Sequence, residues 1–323
     1  MFTEENFQSY ASETKLVVTA KKHLADGVVS LNLAHPAGRR LPDWTPGSHI
    51  DVVLPSGINR QYSLCGDRWD AHNYRIAVLH ERDGRGGSEF IHHGLTEGTT
   101  LAVGGPRNNF RLVPSEKYLF IAGGIGITPM LPMIQSAHMM GADWKLLYFG
   151  RSRRTMAFLD ELAAYGDRVM IVPKDQTGPR SASDLIGPAS VDTKVYVCGP
   201  QRLLAAVERH CADWQPGLLR LEHFAAKSHG APIRDASFDV ELARAGLTVT
   251  VQPEVSVLEA IQRAGVRMLT SCREGTCGTC EVTVLGGQPD HRDSILSDAD
   301  RAAGNCMFPC VSRSCGDRLV LDV

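Results

Sequence analysis

Cys272, Cys277 and Cys280 stand together in the run S-C-R-E-G-T-C-G-T-C, with Cys306 and Cys310 further along the chain. A C-x4-C-x2-C triplet with one distant thiol is the spacing that holds a plant-type [2Fe–2S] cluster. Two irons bridged by two sulfides need four thiolates converging from several directions, and a short loop can supply three of them. Gly275 and Gly278 would let that loop turn at positive φ and bring N–H groups near the sulfurs. By position, Cys310 and Cys306 both qualify as the fourth ligand. The alternatives are buried thiols or a zinc site, but zinc usually wants two close pairs of ligands. A cluster of this kind takes and gives single electrons, so the chain is expected to hold a donor site as well.

Four further runs could serve that donor. In Arg60-Gln61-Tyr62-Ser63-Leu64, just after a strand-like stretch, the arginine can meet a phosphate with a forked pair of hydrogen bonds. The plain alternative is a surface arginine beside a sheet tyrosine. Gly84-Arg85-Gly86-Gly87-Ser88 precedes a helix-like run from Glu89, and N–H groups at a glycine-rich helix start bind anions; a flexible turn would look the same. Gly123-Gly124-Ile125-Gly126-Ile127-Thr128-Pro129 joins an apolar strand to a helix. Its glycines would admit a pyrophosphate, with Thr128 as N-cap and Pro129 in the first turn. This is not G-x-G-x-x-G, so no standard dinucleotide fingerprint is claimed. Val195-Tyr196-Val197-Cys198-Gly199-Pro200 ends another strand, where open parallel sheets bind ligands. Cys198 would face that crevice, although a strand cysteine is more often core filling. Cys65 and Cys211 read as core or surface thiols.

These residues need elements to position them. Up to about Leu112 the chain alternates short strands with Pro/Gly breaks, as in Val28–Leu33, His49–Leu54 and Tyr74–Leu79, which predicts an antiparallel sheet or barrel. From Val113 to Ala226, apolar runs such as Tyr118–Ala122, Lys145–Phe149 and Val169–Val172 alternate with helical patterns, which predicts a parallel α/β sheet covered on both faces. Residues 227–236 read as a linker. Residues 237–323 form a compact third section, where Ser256 and Glu259 suggest a capping box and Gly265 a helix stop. That section carries 12 acidic and 8 basic residues, a net charge of −4.

With 323 residues the chain allows two or three domains. Its net charge of −2 argues against nucleic acid as a partner. No long uncharged apolar stretch predicts a membrane span, and the start M-F-T-E-E-N-F-Q-S-Y has no export-signal pattern. Nine cysteines then read as metal and core thiols in a reducing compartment, and the protein is expected in the cytoplasm.

Taken in order, the motifs resemble the phthalate dioxygenase reductase family, within the wider ferredoxin–NAD(P)+ reductase group, over essentially the whole chain. The family signature G-G-x-D-H-R-D appears as Gly286-Gly287-Gln288-Pro289-Asp290-His291-Arg292-Asp293, with Gln-Pro between the glycines and Asp290. The resemblance implies an FMN-binding antiparallel β-barrel (1–112), an NADH-binding α/β domain (113–226) and, after the linker, a β-grasp [2Fe–2S] ferredoxin domain (237–323). It selects Cys310 over Cys306, because the family's fourth ligand sits in C-x-S-R. It also implies flavin contacts from Arg60, Gln61, Tyr62, Ser63 and Leu64, with Ala77, Val78, Leu79, Gly86, Gly87 and Ser88 nearby.

On the nucleotide side the resemblance points to Gly123, Gly124, Gly126, Thr128 and Pro129, and to Cys198, Gly199 and Pro200 flanking the nicotinamide. Glu222-His223-Phe224 matches the family's E-x-F, which sets Phe224 against the flavin ring. Arg151 and Ser152 fall in F-G-R-S, which goes with NADH over NADPH, and Asp175 is a candidate for a ribose hydroxyl. Absence of a segment for an adenosine half agrees with FMN. Ser63, Thr128, Cys198 and Phe224 are expected at the hydride-transfer centre. The implied activity passes electrons from NADH through FMN and the cluster to a Rieske-type oxygenase component, from a monomeric reductase. The rivals are a free-standing NADH:flavin reductase, which needs no cluster, and a non-catalytic nucleotide-binding redox sensor.

Overall fold

The computed structural model describes residues 14–178, 180–227 and 230–323. They form two compact units that divide between Glu222 and His223. In the first unit, six strands make the sheet predicted as a barrel: β1 (Thr14–Ala25), β2 (Val28–Ala34), β3 (His49–Val53), β4 (Asn59–Ser63), β5 (Asn73–Leu79) and β6 (Thr100–Arg107). Their order is β4-β3-β6-β1-β2-β5, antiparallel throughout. An antiparallel bridge between Leu64 and Ile76 joins the two outer strands and closes the sheet, which removes its exposed edges. Alternate residues fill the interior, among them Leu16, Val18, Leu31, Leu33, Ile50, Val52, Ile76 and Val78. The R-x-Y-S run lies on β4 itself rather than after a strand, because the turn at Pro55–Gly57, with Gly57 at φ +78°, folds the chain back at once.

The same unit continues into five parallel strands: β7 (Lys117–Gly123), β8 (Asp143–Gly150), β9 (Val169–Pro173), β10 (Thr193–Cys198) and β11 (Leu219–Glu222), in the order β11-β10-β7-β8-β9. Alternation explains their unbroken apolar sequences. Phe120, Leu146, Tyr148 and Tyr196 pack with helix α1 (Met130–Met139), whereas Ile121, Leu147, Val195 and Val197 pack with helix α2 (Gln201–His210). Both faces are covered, so polar residues are kept to the starts of the strands and to the edge strand β11. Chain order reverses between β7 and β10, which puts the crevice of the sheet at Gly123 and Cys198. Cys65 and Ala77 on the barrel side share one core cluster with Ile127 and Met130, so barrel and parallel sheet form a continuous body.

The second unit contains β12 (Phe238–Leu242), β13 (Leu247–Val251), helix α3 (Val257–Arg263), β14 (Val282–Gly286), β15 (Cys306–Met307) and β16 (Arg318–Leu321). The sheet order β13-β12-β16-β14-β15 has β12 and β16 parallel at its centre and the remaining pairs antiparallel. With α3 packed on Val240, Leu242, Leu319 and Leu321, this is a β-grasp. Ser256 caps α3 by accepting the Glu259 N–H at 3.1 Å. The predicted return bond is replaced, since Glu259 Oε1 accepts from Arg263 one turn on, at 2.5 Å. Gly265, at φ +81°, closes the helix, with Val266 N–H reaching Ile261 O and Gly265 N–H reaching Gln262 O.

The stretch read as a linker is tied to the D-H-R-D run. Ile233 N–H donates to Asp290, Arg292 Nη2 donates to Gly230 O, and Lys227 N–H donates to Ser294 Oγ. Among the described residues, no helix is long and apolar enough to cross a membrane.

Candidate functional site

The structure brings the two anion-binding candidates of the barrel together. A Cβ added at Gly87 would lie 3.1 Å from Arg60 Cγ and 3.2 Å from its Nε, so the arginine side chain rests directly on that glycine. Gly86, at φ +83°, turns the chain into the short helix Gly87–Glu89, and Ser88 Oγ accepts the Glu81 N–H at 3.0 Å to close the loop. Tyr62 stands beside Arg60. Burial pushes its hydroxyl well up, against the pull of Arg60 and with a further push from Glu81. The neighbouring residues have other partners. Gln61 Nε2 donates to the fully buried Asp51 at 2.8 Å, and Ser63 is buried at the barrel-closing end of β4. Leu64 and Val78 point into the barrel core, while Ala77 and Leu79 face the cluster shared with α1.

At the crevice of the parallel sheet, most of the glycines are required by the chain's own packing. A Cβ at Gly126 would fall 2.3 Å from Cys198 O, one at Gly123 2.7 Å from Pro200 Cδ, and one at Gly199 2.9 Å from Gly123 Cα. Gly124, at φ +55°, has open space beside it. Thr128 does not cap α1. Gly124–Ile127 already form a 3-10 turn that runs into the helix, so the Thr128 hydroxyl donates back to Ile125 O at 2.9 Å and Pro129 takes the cap position. Arg151 and Asp175 meet at the carboxyl ends of β8 and β9, where Asp175 N–H donates to Arg151 O. Ser152 caps the short turn Arg153–Thr155. Phe224 belongs to the second unit and is 46% exposed.

Cys198 is fully buried, and its thiol bonds with the carboxyl of Glu222, its register partner on β11. Burial raises the Glu222 carboxyl to about 8, partly offset by that bond, and its Oε2 is enclosed with no partner among the described residues. The acid is therefore neutral at pH 7, with an oxygen to spare. Sequence reading quoted Glu222 in E-x-F but gave the role to Phe224 alone. The signal was a glutamate at the last position of the strand Leu219–Glu222, at the carboxyl end where open parallel sheets bind ligands.

In the second unit, the loop 272–280 runs between α3 and β14, with Gly275 at φ +69° and Gly278 at φ +77°. Glu274 N–H reaches Cys272 Sγ at 3.3 Å, and Thr279 N–H reaches Cys277 Sγ at 3.5 Å. Cys272 shares hydrogen bonds with Cys277 and Cys310, and Cys280 with Cys310. These bonds draw the Cys272 and Cys280 thiols down and push those of Cys277 and Cys310 up. Four sulfurs that compete for protons in one small volume suit metals, which replace those protons. Cys306 lies on β15 opposite Thr283 and is raised by burial and nearby carboxylates, not by another thiol.

A family model for the 2Fe-2S iron-sulfur cluster binding domain matches residues 240–315. The chain is 43% identical over 301 residues to phenoxybenzoate dioxygenase subunit beta of Ectopseudomonas oleovorans, across 93% of this chain and 94% of that protein. Among solved structures, it resembles phthalate dioxygenase reductase, described as a modular structure for electron transfer from pyridine nucleotides to [2Fe–2S]. That match has a TM-score of 0.70 and 34% identity, over 97% of this chain and 98% of the other. It also resembles an intact type IV self-sufficient cytochrome P450 monooxygenase, with a TM-score of 0.91 and 43% identity over 96% of this chain. There it spans 41% of the longer protein.

Proposed function

The chain belongs to the phthalate dioxygenase reductase family, and on that premise we propose that it is the reductase of a Rieske-type oxygenase system, an oxidoreductase that takes electrons from NADH by way of FMN and a [2Fe–2S] cluster. When bound, FMN supplies the conversion of a two-electron donor into one-electron steps, and the cluster supplies one-electron transfer. The observation that carries this reading is the convergence of the four cysteine thiols inside the matched cluster-binding segment.

Cys272, Cys277, Cys280 and Cys310 hold the irons, and the N–H groups of Glu274 and Thr279 offset the negative charge on two of the sulfurs. Arg60, resting on Gly87, holds the flavin phosphate at the turn Gly86–Ser88. Tyr62 stays protonated and presents a flat face with a hydroxyl. Gly124 is where a dinucleotide approaches the sheet, because its three glycine neighbours are filled by the chain. The neutral Glu222 offers a hydrogen bond from a buried acid to the nicotinamide side, beside Cys198. Arg151 and Asp175 face the rest of the dinucleotide from the ends of β8 and β9. Cysteines that form no disulfide among the described residues fit a reducing, cytoplasmic compartment.

Replacing one ligand tests the order of these parts. Cys277→Ser is expected to abolish cluster-dependent cytochrome c reduction while NADH–ferricyanide activity persists. Equal loss of both, with FMN still bound, would refute a serial path.

A further inference from the structure

The barrel carries a second group of ligating side chains that electron transfer leaves unused. His80 follows β5, Glu89 ends the short helix Gly87–Glu89, and His93 lies in the π-helical turn Phe90–Gly94. One ligating atom from each lies within 4.8 Å of the other two. His80 Nε2 is 2.5 Å from one oxygen of Glu89, and His93 Nε2 is 3.8 Å from the other. The Glu89 and His93 side chains are 58% and 64% exposed, so an ion can enter from solvent. A third imidazole, His92, lies 5.0 Å from the His80 ring and 6.2 Å from that of His93. It donates from Nε2 to Val78 O at 3.0 Å, which braces the group from the strand side.

We propose that His80, Glu89 and His93 form a binding site for a divalent, zinc-like transition-metal ion, with water completing its coordination. Two imidazole nitrogens and one carboxylate oxygen are a donor set that suits such ions, whereas calcium and magnesium take oxygen alone. Bonds of about 2.0–2.2 Å place tetrahedral neighbours roughly 3.4 Å apart; one ligating atom of each residue already lies within 4.8 Å of the other two, with His80 and His93 approaching opposite oxygens of Glu89. The alternative for the same atoms is an ion pair between protonated His80 and Glu89. The site lies outside the segment 240–315. An ion bound there ties the end of β5 to the turn that carries Gly87 and Ser88.

Isothermal titration calorimetry with zinc decides between the two. The holoprotein, with its cluster intact and freed of loose metal by EDTA, is compared with the double variant His80→Gln/His93→Gln and with Glu89→Gln. Thiols elsewhere contribute equally to all three proteins, and unchanged flavin and cluster spectra confirm that the variants fold. The site predicts one zinc equivalent in the wild type that the double variant lacks, and a weakening of that equivalent by tenfold or more in Glu89→Gln. Identical stoichiometry and affinity in wild type and double variant would overturn the proposal and leave an ion pair only.

Discussion

Two glycine-rich turns in this chain look alike in sequence and serve different physical ends. In the turn after β7, Gly126 is dictated by a neighbour, since Cys198 O occupies the place its side chain would take. In the cluster loop, Gly275 and Gly278 are dictated by conformation, with φ of +69° and +77°, so that the backbone can wrap around a centre and aim N–H groups inward. Gly275 adds a contact limit, with Val311 Cγ2 2.6 Å from an added Cβ. One turn is a packing joint between adjacent strands; the other is a cradle. Glycine content alone does not separate them. The atom that a Cβ would meet does.

Substitution can break that distinction. Gly126→Ala forces a methyl into backbone with no room to yield, and is expected to destabilise the first unit by roughly 3 kcal/mol or more. Urea unfolding followed by tryptophan fluorescence measures it, and a near-neutral outcome would show that the strand ends part easily. Arg60→Ala removes a charge-assisted contact of about 1.5–3 kcal/mol and should weaken FMN binding tenfold or more; flavin retained at wild-type affinity would remove Arg60 from the phosphate site.

Glu222→Gln sharpens the account of the crevice through pH. The carboxyl is raised in the folded state to about 8 from an ordinary 4.5. The unfolded chain therefore loses its proton first, and wild-type stability falls as pH rises from 4.5 to 8 and then levels. Gln cannot titrate, so the variant should lose that slope and gain on the wild type steadily as pH rises toward 8. Parallel pH profiles of melting temperature would contradict the assignment. Gly124→Ala, in open space at φ +55°, should cost only about 1 kcal/mol, and calorimetry of this variant beside Gly126→Ala would show the contrast within one turn.

The cluster-binding section was legible in sequence because three of its cysteines are local, and the spacing of a short loop is itself geometry. The barrel and the parallel sheet were legible from their alternating and continuous apolar runs. Glu222 was harder to see, because its role arises from β11 pairing with β10, a contact across 24 positions of chain. Thr128 was misread as a cap because sequence does not reveal that the preceding glycines already form a helical turn. The purpose of Gly123 and Gly126 was likewise hidden, because the atoms that exclude a side chain come from residues 198–203.

Anaerobic titration of the purified holoprotein with NADH, followed by optical and EPR spectroscopy, tests the central claim most directly. The account predicts flavin bleaching together with the EPR signal of a reduced [2Fe–2S] cluster. Bleached flavin beside a cluster that stays oxidised and silent would contradict it.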